Sequence, residues 1–256
     1  MIALGGNSIA PKGGVNDIKE QFSRTREAIK GISHFIDKGY NLCLNHGNGP
    51  QVGNELMRME LSKDVVPPLP LGVCVASTQG SIGYMIQQSL QNKLREMKID
   101  REVVTMISQV LVQNDDPSFK NPHKFVGNRY NKTESDELRK EYGWTFKEQD
   151  TNEFRRVVPS PMPEYLMHGK SIKALVDRGT IVIATGGGGI PVYNDSDGNI
   201  TGLDAVIDKD YSAAKMGRII RAQELWIITD IDCVYVGFGS AKQKRITTIK
   251  ASEIER

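Results

Sequence analysis

Apolar positions along this chain switch between two spacings. Ile181-Val182-Ile183-Ala184 and Leu42-Cys43-Leu44 are short uninterrupted runs, the pattern of strands buried on both faces. Ile18, Phe22, Ile29, Ile32 and Ile36 recur at helical spacing, with Thr25 filling the gap; Gly39 ends that helix and Asn41 opens the next strand. A second helix follows Pro50 with Val52, Leu56 and Met59 on one face. A long third helix carries Ile82, Ile86, Leu90, Leu94 and Met97. The three prolines between Val65 and Pro70 make the intervening segment a rigid connector. Val103 to Val112 is one β-rich run. A helix ending near Arg178, a strand from Thr180, a helix from Lys209 to Ile220 and a strand over Leu225 to Thr229 continue the alternation. Strand and helix alternating in this way predict an α/β fold: a three-layer αβα sandwich with a mainly parallel open sheet.

Three of these strands run directly into glycine. Met1-Ile2-Ala3-Leu4 leads to Gly5-Gly6-Asn7, and Leu42-Cys43-Leu44 to Gly47-Asn48-Gly49. Ile181 to Ala184 leads to Thr185 and the four glycines Gly186, Gly187, Gly188 and Gly189, which stop at Ile190-Pro191. Consecutive glycines cost conformational entropy, and their usual use is close backbone approach with amides turned towards an anion. If the strands lie parallel in one sheet, all three loops emerge at the edge where open α/β sheets bind ligands. That arrangement implies a site for several phosphate groups. Tyr193 to Gly202 reads as a short connection from the tetraglycine strand to the next helix.

Residues 114–163 break the alternation. They are polar, with Asp115-Asp116-Pro117 and Asn121-Pro122, yet Tyr142, Trp144 and Phe146 suggest local packing. A small protruding subdomain or lid inserted within a single domain spanning 1–256 is expected. The composition, 39% hydrophobic and 25% charged, is that of an ordinary soluble protein. A formal charge of +2 argues against a dedicated nucleic-acid binder. No signal peptide or membrane span is read, so a cytoplasmic protein is expected. Cys43, Cys74 and Cys233 are widely spaced and read as free thiols, without a disulfide framework or zinc site.

Several familiar signatures fail. Gly169-Lys170-Ser171 resembles the end of a Walker A motif, but Glu164 stands where its upstream glycine belongs. Gly47 and Gly49 are followed by Val52 in place of a third dinucleotide-loop glycine. The four histidines show no metal-ligand spacing, and His46, beside a glycine loop, reads as a positioning or structural residue. Asp208-Lys209-Asp210 alone reads as a capped, salt-bridged surface turn. Following the tetraglycine strand and opening a helix, it would place an ammonium at the ligand edge, where phosphoryl transfer needs fixed positive charge. On spacing alone Lys124 is an exposed lysine, and Asp230 and Asp232 are turn-forming aspartates that could also ligate a metal.

These residues together resemble the carbamate kinases of the amino-acid kinase superfamily. The matching segments run in order from Ile2-Ala3-Leu4-Gly5-Gly6-Asn7 through His46-Gly47-Asn48-Gly49-Pro50-Gln51-Val52-Gly53, Gln79-Gly80 with Ile82-Gly83-Tyr84, and Asn121-Pro122 with Lys124. They continue with Arg156-Val157-Val158-Pro159-Ser160-Pro161, Gly186 to Pro191, Ala205 to Asp210 and Thr229-Asp230. The resemblance implies the amino-acid kinase fold and reversible phosphoryl transfer between carbamoyl phosphate and ADP, giving ATP and carbamate. It also implies Mg²⁺, a homodimer and a place in arginine fermentation. Carried over by position, Gly5, Gly6, Asn7, Gly47, Asn48, Gly49 and Gly80 would bind substrate and phosphate. Lys124 would reach in from the subdomain, Lys209 would stabilise the transferring group, and Asp208 and Asp210 would orient lysines and the magnesium shell. Gly186, Gly187, Gly188, Gly189, Val234 and Tyr235 would lie along the nucleotide; direct metal ligands are not assigned.

Two departures accompany the resemblance. The first strand begins at Met1, and the closing Gly-Ser-Met-x-Pro-Lys segment of the family does not follow Ile254, so an apolar face is expected to be left uncovered. A truncated relative that binds nucleotide or anion without efficient turnover is therefore the alternative. Another superfamily phosphotransferase with a different acceptor is the third reading.

Overall fold

Helical periodicity and buried strand runs assemble as the alternation predicts. A computed structural model describes residues 1–9, 17–229, 232–240 and 242–254, with residues 7 and 8 described by backbone alone. The chain opens with β1 (Ile2–Leu4), a single turn α1 (Gly6–Ile9), α2 (Ile18–Asp37), β2 (Cys43–His46), α3 (Gly49–Ser62) and α4 (Leu71–Glu96). Next come β3 (Val103–Thr105), β4 (Gln109–Leu111), the short α5 (Pro117–Lys120), β5 (Lys124–Tyr130), α6 (Lys132–Tyr142), β6 (Thr145–Asp150) and β7 (Glu153–Val158). The remainder is β8 (Tyr165–Leu166), α7 (Gly169–Asp177), β9 (Ile181–Ile183), β10 (Ile190–Asn194), β11 (Ile200–Gly202), α8 (Lys209–Ile220), β12 (Trp226–Ile228), β13 (Val234–Val236) and β14 (Lys244–Ile246).

The central sheet has the order β12-β1-β2-β9-β3 and every pairing in it is parallel. Strands β1, β2 and β9 are short and covered on both faces. Ile2, Leu4, Leu44, Ile181 and Ile183 point to one side, where Ile29 and Ile32 of α2 and Ile82, Ile86 and Leu90 of α4 meet them. Ala3, Cys43 and Val182 point to the other, against Ile172 of α7 and Ala213 and Met216 of α8. Alternation within each strand thus builds the three layers, each fully buried aliphatic side chain contributing about 1.5–3 kcal/mol. Asp17 caps α2, accepting from the Glu20 amide at 2.8 Å, and Pro50 occupies the first turn of α3.

Two stretches differ from the pattern-based reading. Val103 to Val112 is two strands in two sheets: β3 closes the central sheet, and β4 joins a four-stranded mixed sheet, β11-β10-β4-β8. The bend at Met106 to Ser108 falls inside the run and is marked locally only by the polar pair Ser108-Gln109. The segment 193–202 is mostly an antiparallel hairpin, β10 with β11, turned by the Asp195 side chain, which accepts from the Asp197 and Asn199 amides. Within 114–163 the strands form an antiparallel sheet of their own, β5-β7-β6. There Trp144 stacks near Tyr142, and the Arg156 guanidinium lies 4.0 Å from the Trp144 ring centroid. This sheet joins the body where Val126 and Val158 pack with Val52 and Leu56 of α3 and Val206. On outer strand β12, Trp226 and Ile227 are each 46% exposed.

Candidate active site

The strands that end in glycine, β1, β2 and β9, are consecutive neighbours and parallel, so their loops emerge side by side. They form one wall of a cleft of about 310 Å³. Gly5, Gly6, Gly47, Asn48, Gly49, Lys124, Gly187, Asp208, Lys209 and Asp210 all line it, with Pro50, Phe125, Val206 and Thr229 among their neighbours. At Gly47 glycine is required by proximity: a Cβ there would stand 2.8 Å from the Gly6 amide nitrogen, and Lys209 Cδ would be 3.5 Å away. The first two loops and the α8 lysine therefore meet at one point. The N-termini of α3 and α8 also open here, adding partial positive charge.

Asp208 joins the distant parts. Its Oδ1 accepts from the Asp210 amide at 2.9 Å, capping α8, while Oδ2 accepts from Lys124 Nζ at 2.7 Å, from 84 residues earlier. Burial pushes the Asp208 carboxyl up, but the hydrogen bond and charge of Lys124, the Asp210 amide and the Lys209 charge together hold it below the usual range. It is a fixed anion rather than a proton acceptor. Lys209 pairs with Asp210, and its backbone carbonyl accepts from Asn45 Nδ2 at 2.9 Å, which ties the start of α8 to β2. His46 is fully buried. Desolvation lowers it to about 4 despite its hydrogen bond with the Gly47 carbonyl at 3.0 Å, so the ring is neutral at physiological pH. Its role is positional, and among the described lining residues there is no strong general base.

The tetraglycine segment is a buried turn. Gly187 reaches the cleft; Gly186, Gly188 and Gly189 do not line it. A Cβ on any of the four would run into protein: His46, Asn48, the Ile207 carbonyl or Val110 respectively. Close approach is the reason for these glycines, as expected, but most of it is to the chain's own residues. The amides of Gly188 and Gly189 bond back to the carbonyls of Thr185 and Gly186 at 3.0 Å. Thr185 enters the turn with φ 53°, a left-handed conformation unusual for a β-branched residue and costing about 1–3 kcal/mol.

Other expected site residues lie elsewhere. Gly80 is exposed on α4 and does not line the cleft. Val234 and Tyr235 lie in the β13–β14 hairpin, also outside it, with Tyr235 Oη donating to Asp232 at 2.8 Å. The Asn7 side chain and Asp230 fall outside the described residues; the Asn7 backbone lies in α1, next to Gly6 of the cleft wall. Sequence reasoning missed a buried polar layer behind the glycines. Asn48 Nδ2 donates to Thr78 Oγ1 at 2.9 Å, Ser212 Oγ donates to the Gly188 carbonyl at 2.6 Å, and Gln79 bonds to Gly186 and Ser108. The available signal was Thr78 and Gln79 adjacent at inward positions of a helix mostly apolar on that face. Among the described residues no helix is long and apolar enough to cross a membrane.

The model of the amino acid kinase family matches residues 1–256. The carbamate kinase of Pyrococcus horikoshii is 42% identical, with all of this chain and 82% of that protein covered. Carbamate kinase 2 of Staphylococcus epidermidis is 41% identical at the same coverage. Among solved structures, Giardia lamblia carbamate kinase bound to AMP-PNP superposes with a TM-score of 0.85 at 34% identity, over 96% of this chain and 78% of that one. A structure from Aeropyrum pernix K1 gives a TM-score of 0.87 at 37% identity over 95% of this chain and 78% of that one. The parallel sheet, the glycine-lined cleft at its edge and these likenesses lead to one assignment: the chain belongs to the amino acid kinase family, among its carbamate kinases.

Proposed function

We propose that the chain transfers a phosphoryl group reversibly between carbamoyl phosphate and ADP, giving ATP and carbamate. The observation that carries this reading is the meeting of Lys124 and Lys209 with the glycine loops of β1 and β2 in one cleft. Carbamate is already an anionic oxygen nucleophile, so no base is needed, in keeping with a neutral His46 and an Asp208 held ionised. What must be offset is the negative charge crowded between nucleophile and nucleotide, and positioned cations and amides do that.

Lys209 reaches the transferring group, and Lys124, tethered by Asp208, covers it from the β5 side, the 114–163 segment acting as a lid. Gly5, Gly6, Asn7, Gly47, Asn48 and Gly49 surround carbamate and the phosphoryl group. Gly187 faces the nucleotide, its turn held from behind by Gly186, Gly188 and Gly189, and Val234 and Tyr235, outside the cleft, flank the nucleotide. Magnesium would arrive with the nucleotide as part of the substrate, and Asp208 and Asp210 would orient its shell. The enzyme acts in the cytoplasm, in arginine fermentation.

It does so as a homodimer. From Val65 to Asn92 the sequence has no charged residue, and Val73, Ser77, Gly80 and Tyr84 form an exposed stripe on α4. A Cβ at Gly80 would meet nothing within this chain, so its helix-weakening glycine is unexplained by the monomer. Close packing of a second copy against this stripe supplies the reason. The test of the activity is ATP formation from carbamoyl phosphate and ADP in a coupled assay. AMP-PNP binding without turnover would overturn the reading.

A further inference from the structure

Gln79 is 1% exposed on the inward face of α4, between two segments, 106–108 and 185–189, that each cross from the central sheet to the four-stranded one. Its Nε2 donates to the Gly186 carbonyl at 2.9 Å and to the Ser108 carbonyl at 3.1 Å. Its Oε1 accepts from the Ser108 amide at 2.8 Å. The orientation of the amide is unambiguous, because the two carbonyls need donors and the Ser108 N–H needs an acceptor. Ser108 in turn accepts from the Thr185 amide through Oγ at 3.0 Å, and from the Ile190 amide through its carbonyl at 2.9 Å. One buried side chain thus holds both ends of the tetraglycine turn, directly at Gly186 and through the single residue Ser108.

The consequence falls on Gly187. The Gly186 carbonyl and the Gly187 N–H belong to the same trans peptide and point in opposite directions. With the carbonyl drawn towards Gln79, the N–H is turned away from it. Gly187 is the one residue of the turn that lines the cleft, and among the described residues its amide has no partner. Thr185, in its strained conformation and with Oγ1 buried without a partner, shows that the turn is held by its surroundings and not by local preference.

We propose that Gln79 is a positioning residue for phosphoryl transfer, aiming the Gly187 N–H at the anion in the cleft by holding the Gly186 carbonyl. It rests on the phosphotransferase reading of the cleft. The discriminating variant is Gln79→Glu. As an ionised carboxylate it still accepts from Ser108 N–H but faces two carbonyl oxygens without a proton; as the neutral acid it can donate to one of them. Burial raises a carboxyl pKa, which brings this switch into an assayable range.

In Gln79→Glu, kcat should fall at least tenfold at pH 8 and recover as the pH is lowered, with the KM for ADP within threefold of wild type. Gln79→Met, which can make none of these bonds, should be low at every pH. Circular dichroism melts over the same pH range keep each assay below unfolding. Wild-type kcat in both variants with a flat profile overturns the proposal, as does a loss confined to KM. A second measurement does not need either variant to fold: glycine amides of ¹⁵N-labelled wild-type protein are followed by NMR while inorganic phosphate is added. The Gly187 resonance should move, and its failure to move overturns the proposal even if the enzyme turns over. A moving Gly187 resonance in a protein that forms no ATP overturns the carbamate reading and supports the placement of Gln79.

Discussion

Asp208→Asn isolates the contact that joins the β5 strand to the α8 helix. Asparagine preserves the Oδ1 acceptor that caps the Asp210 amide, and Asn and Asp are nearly equal as N-caps. What is lost is the charge that holds Lys124 Nζ at 2.7 Å, and both side chains of that pair are 33% exposed. A partly solvated pair of this kind contributes no more than about 1 kcal/mol. Thermal unfolding should therefore shift down by only about 2–4 °C for a chain of this size. Turnover should respond more. Lys124 is still present but must be ordered anew in each transition state, costing about 0.5–1.5 kcal/mol, or roughly twofold to thirteenfold in kcat. Lys124→Met removes the cation itself and should cost about 10²–10³, as loss of an oxyanion-hole donor does. If Asp208 acts by tethering Lys124, the double variant should be no slower than Lys124→Met alone, within about threefold. The assay is ATP formation at saturating carbamoyl phosphate for the four proteins of the cycle. Multiplying effects, or a loss in Asp208→Asn as large as that in Lys124→Met, would refute the tether and move Asp208 into direct contact with nucleotide or metal.

Lys209→Ala should lower kcat at least about a hundredfold, on the same scale, while leaving the melting profile intact; near-normal turnover would remove its assigned role. His46, lowered to about 4 in the folded protein against about 6.5 unfolded, gives a signed pH effect. The unfolded chain binds more protons between these values, so stability rises with pH across that window. About 3 kcal/mol present above pH 6.5 is lost as pH falls through 4. Urea midpoints of wild type should drop more steeply between pH 7 and 4.5 than those of His46→Asn, and parallel curves would contradict the burial argument. Gly80→Arg on the uncharged α4 stripe should give a monomer by sedimentation with its melting behaviour retained; an unchanged dimer would place the interface elsewhere.

Local pattern carried the elements whose partners lie close in sequence or on a repeated face. The stripe from Ile18 to Ile36 became α2, the run from Ile181 became β9, and the helix expected from about Lys209 to Ile220 became α8. The glycines after β1, β2 and β9 were legible as a shared edge because parallel strands put equivalent ends together. Where the reading went astray, the deciding information was not local. Nothing in residues 103–112 tells that the first strand pairs with β9 and the second with β10. Nothing in 193–202 separates a connection from a hairpin until β10 has a sheet to join. Gly80 and Gly186 to Gly189 look alike as glycines, and only their surroundings divide them into one exposed on a helix, one on the cleft and three packed behind it.

By itself the sequence determined the periodicities, and with them the layered α/β architecture, together with the three points at which backbone would be bare. Those follow from side-chain size and spacing within a few residues. The tertiary structure decided which bare points meet, that a carboxylate at 208 holds a lysine 84 residues away, and that an uncharged amide at 79 sets the direction of a glycine peptide. Hydrogen bonds and ion pairs between distant residues leave no mark on local composition. Their geometry is set when the hydrophobic faces close and the remaining polar groups, cut off from water, must find one another.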